Sequence, residues 1–340
     1  MRFSLAPLAG FTDAPFRRMC REGGADLTYT EMVSAAGLVR GSRPTRRLFS
    51  VMPGEGPVAV QLFGASESDL ARAAAVVSAA ASSAGLSELN LNAGCPVPKV
   101  VREGAGARLI EKPDLVFRLL KAMVENSSLP VTLKTRLGSR PGEVRVFELV
   151  DAAEKAGAKS VIVHARFTSQ MHGGPLRLDI LSEVVRRSPL PVAGNGSVGD
   201  RASAAAMAAT GVASIMIGRA ALSDPAIFNR LKAAPGRTVP PPTAADQISS
   251  CRRHLDYILL FRDQLAADFP DDRIPSADAA ASLKMHTHLF RYFKGMPGAA
   301  AIRARLNSIR SIAGIRAAMD DAERSLSNRV FNEQKGTTEL

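Results

Sequence analysis

Eight short runs of apolar, largely β-branched residues recur through the first part of this 340-residue chain and alternate with helix-length segments. Most of the runs are nearly uniformly apolar, which is typical of parallel strands that are covered on both faces. Eight strand–helix units within about 230 residues predict a closed (β/α)8 TIM barrel. A doubly wound parallel sheet is the alternative, although it seldom contains eight regular units. The runs are Phe3–Leu8, Leu27–Glu31, Val58–Phe63, Glu88–Asn92, Val131–Leu137, Ser160–His164, Val192–Gly194 and Ser214–Ile217.

Three further segments follow the eighth run. Residues 235–243 are rich in proline and are predicted to form a stiff linker. Residues 244–326 show a helical pattern without a strand signal, which predicts a small all-α bundle. Residues 327–340 are polar and are predicted to be a flexible tail. We therefore expect an α/β-barrel domain over residues 1–234 and a separate helical domain after it.

The chain carries a formal net charge of +12, which favours a polyanion as its partner. Much of this charge lies within Leu283–Met319, which contains no Asp or Glu. A positively charged surface binds phosphates by releasing counterions, so this stretch predicts a nucleic-acid partner. The alternative is that these residues pair with acids elsewhere in the fold. The interleaved Phe290, Tyr292 and Phe293 are expected to be core residues. The basic residues predicted to contact RNA are Lys284, Arg291, Lys294, Arg303, Arg305 and Arg310.

The cysteines and the hydropathy pattern restrict the class of protein further. Cys20, Cys95 and Cys251 are widely spaced and form no CxxC pair or Cys/His cluster, so we expect neither disulfides nor a metal site. The longest apolar stretch, Ala73–Ala81, is too short to span a bilayer, and the chain shows no signal-peptide pattern. We expect a cytoplasmic, monomeric protein without a membrane partner.

Polar residues follow the ends of most of the predicted strands, where the active site of a TIM barrel lies. Cys95 follows the fourth strand on a loop that precedes the glycine-rich residues 102–107, where a thiol is well placed to give or take a proton. The alternative reading of a lone cysteine is an inert buried thiol. Asn90 and Asn92 lie on the same strand, and other strands end in Gln61, Lys134, Arg136, His164, Arg166, Asn195 and Arg219.

The loops after the seventh and eighth strands predict a phosphate site. Residues 194–199 match the pattern GxGxxG, but they follow the seventh strand, and no acidic residue lies about twenty residues further on, which argues against a dinucleotide fold. With Gly218 and Arg219 they predict a phosphate cup, and plain tight turns are the alternative. One such cup suits a mononucleotide such as FMN. Lys134 could stabilise the anionic reduced flavin, and Gln61 could hydrogen-bond to the same edge of the ring.

Eight short motifs follow one another along the barrel. They are Leu5–Asp13, Thr30–Ala35, Val60–Gly64, Asn92–Val101, Leu133–Gly138, Val163–Arg166, Gly194–Gly196 and Met216–Ala220. Together they resemble the successive motifs of the tRNA-dihydrouridine synthases, and the similarity continues more loosely into Leu289–Gly295. Members of that family often carry Trp after the sixth and eighth strands, whereas this chain contains no Trp.

The resemblance implies an oxidoreductase that holds FMN in its barrel, uses NADPH or NADH as reductant, and reduces specific uridines of the tRNA D-loop to 5,6-dihydrouridine. Hydride would pass from FMN to C6 of the uracil and a proton from Cys95 to C5. Asn92, Arg136 and Arg166 would face the uridine or its backbone. The residues implied in cofactor binding are Pro7, Leu8, Ala9, Gln61, Lys134, His164, Asn195, Gly196, Ser197, Gly218 and Arg219.

Two other functions are compatible with parts of this pattern. A flavin barrel that acts on a free pyrimidine, as dihydroorotate dehydrogenase does, would share the phosphate cup and an acid or base on a loop, but it would not need the basic helical domain. A noncatalytic RNA-binding protein could retain the barrel. The presence of Cys95, Lys134, His164 and Arg219 argues against such a loss of activity.

Overall fold

The computed structural model of the protein describes residues 1–234, 237, 239–293, 304 and 308–336, without the side chains of residues 82–84 and 326–336. The chain divides into two compact units. The first comprises Met1–Ala220 with Ile227–Lys232, and the second comprises Ala221–Ala226 with Ala233–Leu340.

Parallel strands form a closed barrel in the first unit, which confirms the predicted (β/α)8 fold. The barrel closes because β2 pairs with β1 on one side and with β4 on the other. The strands are β1 (Arg2–Leu5), β2 (Leu27–Tyr29), β3 (Val33–Ser34), β4 (Val58–Phe63), β5 (Leu86–Ala93), β6 (Val131–Arg136), β7 (Ser160–His164), β8 (Val192–Asn195) and β9 (Ser214–Ile217).

The second position of the barrel is shared by two short strands, where the sequence predicted a single run. Both β2 and β3 pair with β4. Between them, the hydroxyl of Thr30 accepts the backbone N–H of Gln61 at 3.1 Å, a bond that a backbone carbonyl would take in an uninterrupted ladder. Nine strands therefore fill eight positions among the described residues.

Helices connect the strands and cover the outside of the barrel. The apolar face of α6, which contains Val116, Leu119, Leu120 and Met123, is buried. Asp13 caps α1 by accepting the N–H of Phe16 at 3.2 Å. The helices of this unit are α1 (Ala14–Glu22), α2 (Ala35–Val39), α3 (Arg43–Arg47), α4 (Glu67–Ala84), α5 (Pro98–Arg102), α6 (Pro113–Glu125), α7 (Val146–Lys155), α8 (Leu178–Arg187), α9 (Arg201–Ala208) and α10 (Ile227–Lys232).

The interior of the barrel has an apolar layer and a polar layer. An apolar cluster is contributed by strands around the barrel and by Ala6 just after β1: Ala6, Tyr29, Ala59, Ile162, Ala193 and Met216. On β5, Leu89 and Leu91 alternate with Glu88, Asn90 and Asn92. Because successive side chains of a strand point to opposite faces, these three polar residues share one face.

The second unit contains the helices α11 (Ala244–Asp268), α12 (Ala277–Tyr292) and α13 (Ile312–Gly336). Tyr292 and Phe293 are fully buried and Phe290 packs against the same cluster, as expected of core residues. The helix α13 continues to Gly336, into the segment predicted as a tail, because residues 315–335 contain neither Gly nor Pro. No helix in the described ranges combines the length and apolar character needed to cross a membrane.

Candidate active site

The carboxyl ends of the strands bring most of the predicted site residues to one mouth of the barrel. Parallel pairing sets them in register on neighbouring strands, so that a residue near the end of one strand lies beside its counterpart on the next. The paired positions are Gln61 with Asn90, Asn92 with Lys134, Arg136 with His164, and His164 with Asn195.

Cys95 lies on the loop that leaves β5, and its backbone is held by the strand itself. The side-chain oxygen of Asn92 accepts the N–H of Gly94 at 3.1 Å and that of Cys95 at 3.0 Å. The carbonyl of Cys95 accepts the N–H of Ala107 at 2.9 Å. Gly106 has a φ of +60°, and a Cβ at this position would lie 2.6 Å from that carbonyl oxygen. The loop therefore needs glycine here.

Burial sets the protonation state of the Cys95 thiol. The side chain is half-buried, and this burial raises the pKa of the Cys95 thiol. A backbone hydrogen bond at Val97 and the positive charges of Arg136 and Lys134 act in the opposite direction without reversing the shift. The thiol is therefore protonated at neutral pH, which suits a proton donor rather than a nucleophile.

Lys134 points across the mouth from β6 towards β8. Its Nζ donates to Oδ1 of Asn195 at 3.2 Å, and Nδ2 of Asn195 donates to the carbonyl of Met216 at 2.8 Å. Burial, with the nearby charge of Arg136, lowers the pKa of Lys134 to about 7. Lys134 therefore changes charge near neutral pH when no anion is bound beside it.

Arg166, just after β7, connects two loops of the mouth. Its Nη2 donates to Oγ of Ser197 at 2.8 Å and to the carbonyl of Gly174 at 2.9 Å. Its Nη1 lies 3.3 Å from Nε2 of His164. These contacts join the loop after β7 to the predicted phosphate loop after β8.

The electrostatic environment of His164 shows that the mouth is strongly positive. Burial, followed by the charges of Lys134, Arg136, Arg166 and His172, lowers the pKa of His164 to about 2. Arg136 and Arg166 supply positive charge to this environment, whereas burial lowers the pKa of His172 itself. The imidazole is therefore neutral, and the mouth has an excess of positive charge that an anion would balance.

Three arginines hold the loop Met171–Gly174, a feature that the sequence analysis did not find. Each donates to a backbone carbonyl of this loop, and such carbonyls carry no sequence signal. The exposed ring of His172 lies nearly parallel to that of His164, with centroids 6.5 Å apart. The donors and acceptors are Arg136 to Met171 at 2.7 Å, Arg166 to Gly174 at 2.9 Å, and Arg219 to His172 at 3.2 Å.

The predicted cofactor residues in the loops after β1, β8 and β9 differ in how crowded their surroundings are. Gly196 has a φ of +138°, and a Cβ there would lie 2.6 Å from Cδ2 of Leu176. A Cβ on Gly218 would lie 3.7 Å from Cδ2 of Leu8. In the loop after β1, Pro7 and Leu8 are half-buried and Ala9 is exposed.

Gln61 is less accessible than its predicted role suggests. Its side chain is fully buried, and both ends of its amide are bonded. Nε2 donates to Oδ1 of Asn90 at 2.7 Å, and Oε1 accepts Nδ2 of Asn92 at 2.8 Å. Direct contact between Gln61 and a flavin stays a prediction, and the structure adds a second role for this residue, as a link between neighbouring amides.

The predicted RNA-binding residues of the second unit are described only in part. Lys284 is half-buried, and Arg291 and Arg310 are exposed. Lys294, Arg303 and Arg305 lie outside the described residues. Pairing with acids accounts for one nearby cation, since Arg316 lies 3.7 Å from Asp256.

A parallel β/α barrel with a thiol, a half-buried lysine and glycine-containing loops at its mouth has the architecture of the barrel enzymes, whose active sites lie at the carboxyl ends of their strands. The family model described as "Dihydrouridine synthase" matches residues 4–327. The chain belongs to the dihydrouridine synthase family, which confirms the resemblance in its sequence.

Proteins named as tRNA-dihydrouridine synthases are identical to this chain at about a third of the aligned residues. It is 30% identical to a probable tRNA-dihydrouridine synthase 1 of Synechocystis, over 90% of this chain and 82% of that protein. It is 34% identical to a probable tRNA-dihydrouridine synthase of Aquifex aeolicus, over 67% of this chain and 72% of the relative. It is 35% identical to tRNA-dihydrouridine synthase B of Klebsiella pneumoniae, over 68% of this chain and 71% of that enzyme.

Proposed function

We propose that this protein reduces the C5–C6 double bond of specific uridines in the D-loop of tRNA, with FMN in the barrel mouth and NADPH or NADH as reductant. Family membership and the names of the relatives support reduction of uridine in tRNA. They favour this function over reduction of a free pyrimidine and over noncatalytic RNA binding. The observation that carries the finer proposal is the protonated thiol of Cys95 at the rim of a cationic mouth.

The residues of the mouth fit a flavin mononucleotide. Its phosphate would balance the excess positive charge, with Gly196, Ser197, Gly218 and Arg219 as its ligands. The φ of +138° at Gly196 favours glycine, the residue that lets a backbone approach a ligand closely. Pro7, Leu8 and Ala9 would lie along the ring, with Gln61, Lys134, His164 and Asn195 at its polar edge. When bound, FMN supplies the hydride that is added to C6.

Cys95 would supply the proton that completes the reduction at C5. Saturation of the double bond needs one hydride and one proton, and a thiol held in its protonated form can give the second. Lys134, in its protonated form, and Arg166 would stabilise the negative charge that develops on the uracil, because positive charges held in a partly buried site act strongly on it. Asn92 and Arg136 would hold the base or its backbone. The target uridine must leave its base stack to reach the mouth.

The second unit would hold the tRNA. Arg291 and Arg310 are exposed there, as phosphate contacts must be. We propose the domain boundaries given by the sequence, with a catalytic barrel over residues 1–234, a linker over 235–243 and a tRNA-binding domain over 244–326. A cytoplasmic, monomeric enzyme without a bound metal remains our expectation.

The proton-donor role is tested with Cys95→Ala. We expect this variant to keep its flavin, measured by absorbance, and to lose a hundredfold or more of its turnover, which is the usual range for a general acid, about 10²–10⁴. Turnover is measured as dihydrouridine formed, by mass spectrometry, in tRNA from a strain that lacks this modification. Cys20→Ala, which removes a fully buried thiol on α1, is the control. Normal turnover in Cys95→Ala would exclude Cys95 as the acid.

A further inference from the structure

A continuous chain of side-chain hydrogen bonds runs along the inside of the barrel, from the loop that contains Cys95 to the carboxylate of Glu88. It begins at Asn92, whose Oδ1 accepts the N–H groups of Gly94 and Cys95, and it ends at Oε1 of Glu88. We call it the relay. Its links are Asn92 Nδ2 to Gln61 Oε1 at 2.8 Å, Gln61 Nε2 to Asn90 Oδ1 at 2.7 Å, Asn90 Nδ2 to Thr132 Oγ1 at 2.8 Å, and Thr132 Oγ1 to Glu88 Oε1 at 2.7 Å.

Strand register brings the members of the relay together. Glu88, Asn90 and Asn92 share the inner face of β5, and Asn90 is paired with Gln61 on β4 and with Thr132 on β6. Gln61 and Asn90 are fully buried, Thr132 is nearly so, and Glu88 is partly buried. These bonds are therefore shielded from competing water, which strengthens them.

The groups at the two ends of the relay fix the donor-to-acceptor direction of all its hydrogen bonds. A backbone N–H can only donate, so the oxygen of the Asn92 amide must face Cys95. At the far end, Oε1 of Glu88 accepts hydroxyl groups from Thr132 and from Tyr29, both at 2.7 Å. Reversing any one amide would set donor against donor on one side and acceptor against acceptor on the other, so the amides must keep one common orientation.

We propose that Glu88 is a positioning residue for the proton donor, and that the relay transmits its effect by fixing the amide of Asn92 and hence the backbone of Cys95. This inference rests on the proposed function, because it assigns the relay to the same thiol. Glu88 lies near the amino end of β5, whereas Cys95 follows its carboxyl end, so Glu88 acts through the relay and not by contact with substrate.

The relay is tested with a pair of variants that each remove one hydroxyl donor from the same carboxylate oxygen. Thr132→Val interrupts the relay with little change in shape. Tyr29→Phe removes a bond of equal length to the same carboxylate oxygen, together with a hydrogen bond to Thr132, but it leaves all four links of the relay in place. Thr132→Ser keeps the hydroxyl and serves as the conservative rescue. Thr132→Ala replaces the Val variant if that one does not fold.

The first measurement is the rate at which iodoacetamide alkylates Cys95 in the purified protein, followed by peptide mass spectrometry. It needs neither bound flavin nor turnover, and Cys20 and Cys251 are fully buried, so they do not compete. We expect Thr132→Val to react several-fold faster, because a loosened loop exposes the thiol. Tyr29→Phe and Thr132→Ser should react at the wild-type rate.

The second measurement is the split between kcat and KM with tRNA. We expect kcat of Thr132→Val to fall about tenfold with KM for tRNA unchanged, because the proton donor is displaced while the binding surface is intact. Equal alkylation rates and equal kcat in Thr132→Val and Tyr29→Phe would overturn the positioning role. If the wild-type protein forms no dihydrouridine, the proposed function fails, and the alkylation rates still decide whether the relay holds Cys95.

Discussion

Single residues in the barrel mouth have their charge states set by burial and by cationic neighbours. Burial favours the neutral form of each group, so Cys95 keeps its proton while His164 and Lys134 lose theirs more readily. The positive charges of Arg136 and Arg166 also lower the pKa of His164. The residue-scale consequence is that the charge of the mouth depends on pH near neutrality, chiefly through Lys134.

This dependence predicts how the stability of the flavin-free protein changes with pH. The pKa of Lys134 is about 7 in the folded protein, whereas an unfolded lysine has a pKa of about 10.4. From about pH 7 to pH 8.5 the unfolded chain therefore binds more protons than the folded one, and the free energy of unfolding contains a contribution from Lys134 that rises with pH. Replacing the lysine by methionine removes this contribution.

Urea denaturation of the flavin-free protein at about pH 7 and about pH 8.5 measures the change. We expect the free energy of unfolding of Lys134→Met to increase less with pH than that of the wild type. Lys121→Met changes an exposed lysine on α6 and should keep the wild-type increase. If all three proteins show the same increase, the neutral-pH titration of Lys134 is refuted.

At the scale of elements, the apolar strands were predictable and the details that depend on side-chain partners were not. The nearly uniform apolar runs of β7 and β9 predicted their positions, because such sequences are typical of parallel strands that are buried on both faces. At the break between β2 and β3, the hydroxyl of Thr30 accepts the backbone N–H of Gln61, and the sequence alone does not distinguish such a contact from that of any other polar loop residue. Uniform apolar runs therefore predict where a strand lies, and tertiary contacts decide where it is interrupted.

The candidate site was predictable to a similar degree. The alternation of Glu88, Asn90 and Asn92 was visible in the sequence and indicates a polar inner face. Their partner Thr132 depends on the register between β5 and β6, and a shift of one residue would turn its side chain to the other face. The arginines that hold the loop Met171–Gly174 bond to carbonyls, which every sequence contains. Such contacts are found only from coordinates.

The loop after β8 supports a prediction at this scale. A Cβ on Gly196 would lie 2.6 Å from Cδ2 of Leu176, at a φ of +138°. We expect Gly196→Ala to cost about 1–3 kcal/mol of folding stability through strain and crowding, and to lower the flavin content of the purified protein. Denaturation curves and the ratio of flavin to protein absorbance measure the two effects.

Gly199→Ala is the matched control in the same loop. Its Cβ would meet its nearest neighbour, the Cβ of Ala220, at 3.7 Å, an ordinary van der Waals contact. This variant should keep its flavin and lose little stability. Equal flavin content in the two variants would show that the loop after β8 does not hold the cofactor as proposed.

At the scale of the whole molecule, the net charge of +12 favours binding of a polyanion by either unit. In the barrel unit, the cations of the mouth are the proposed partners of the flavin phosphate and of the uridine. In the helical unit, Arg310 is exposed and Arg316 lies 3.7 Å from Asp256. We therefore expect these two arginines to contribute unequally to tRNA binding. A cation that already has a carboxylate beside it releases fewer counterions when a phosphate binds.

The salt dependence of tRNA binding separates the two arginines. We expect Arg310→Gln to weaken binding and to reduce the slope of log K against log salt concentration by about 0.9, the value for one phosphate contact on a duplex. Arg316→Gln should change the slope less, and both variants should keep their flavin, because neither residue belongs to the barrel unit. Filter binding over a range of salt concentrations provides the slopes. An unchanged slope in Arg310→Gln would exclude this residue from the tRNA interface, and equal losses in both variants would show that the ion pair with Asp256 does not limit Arg316.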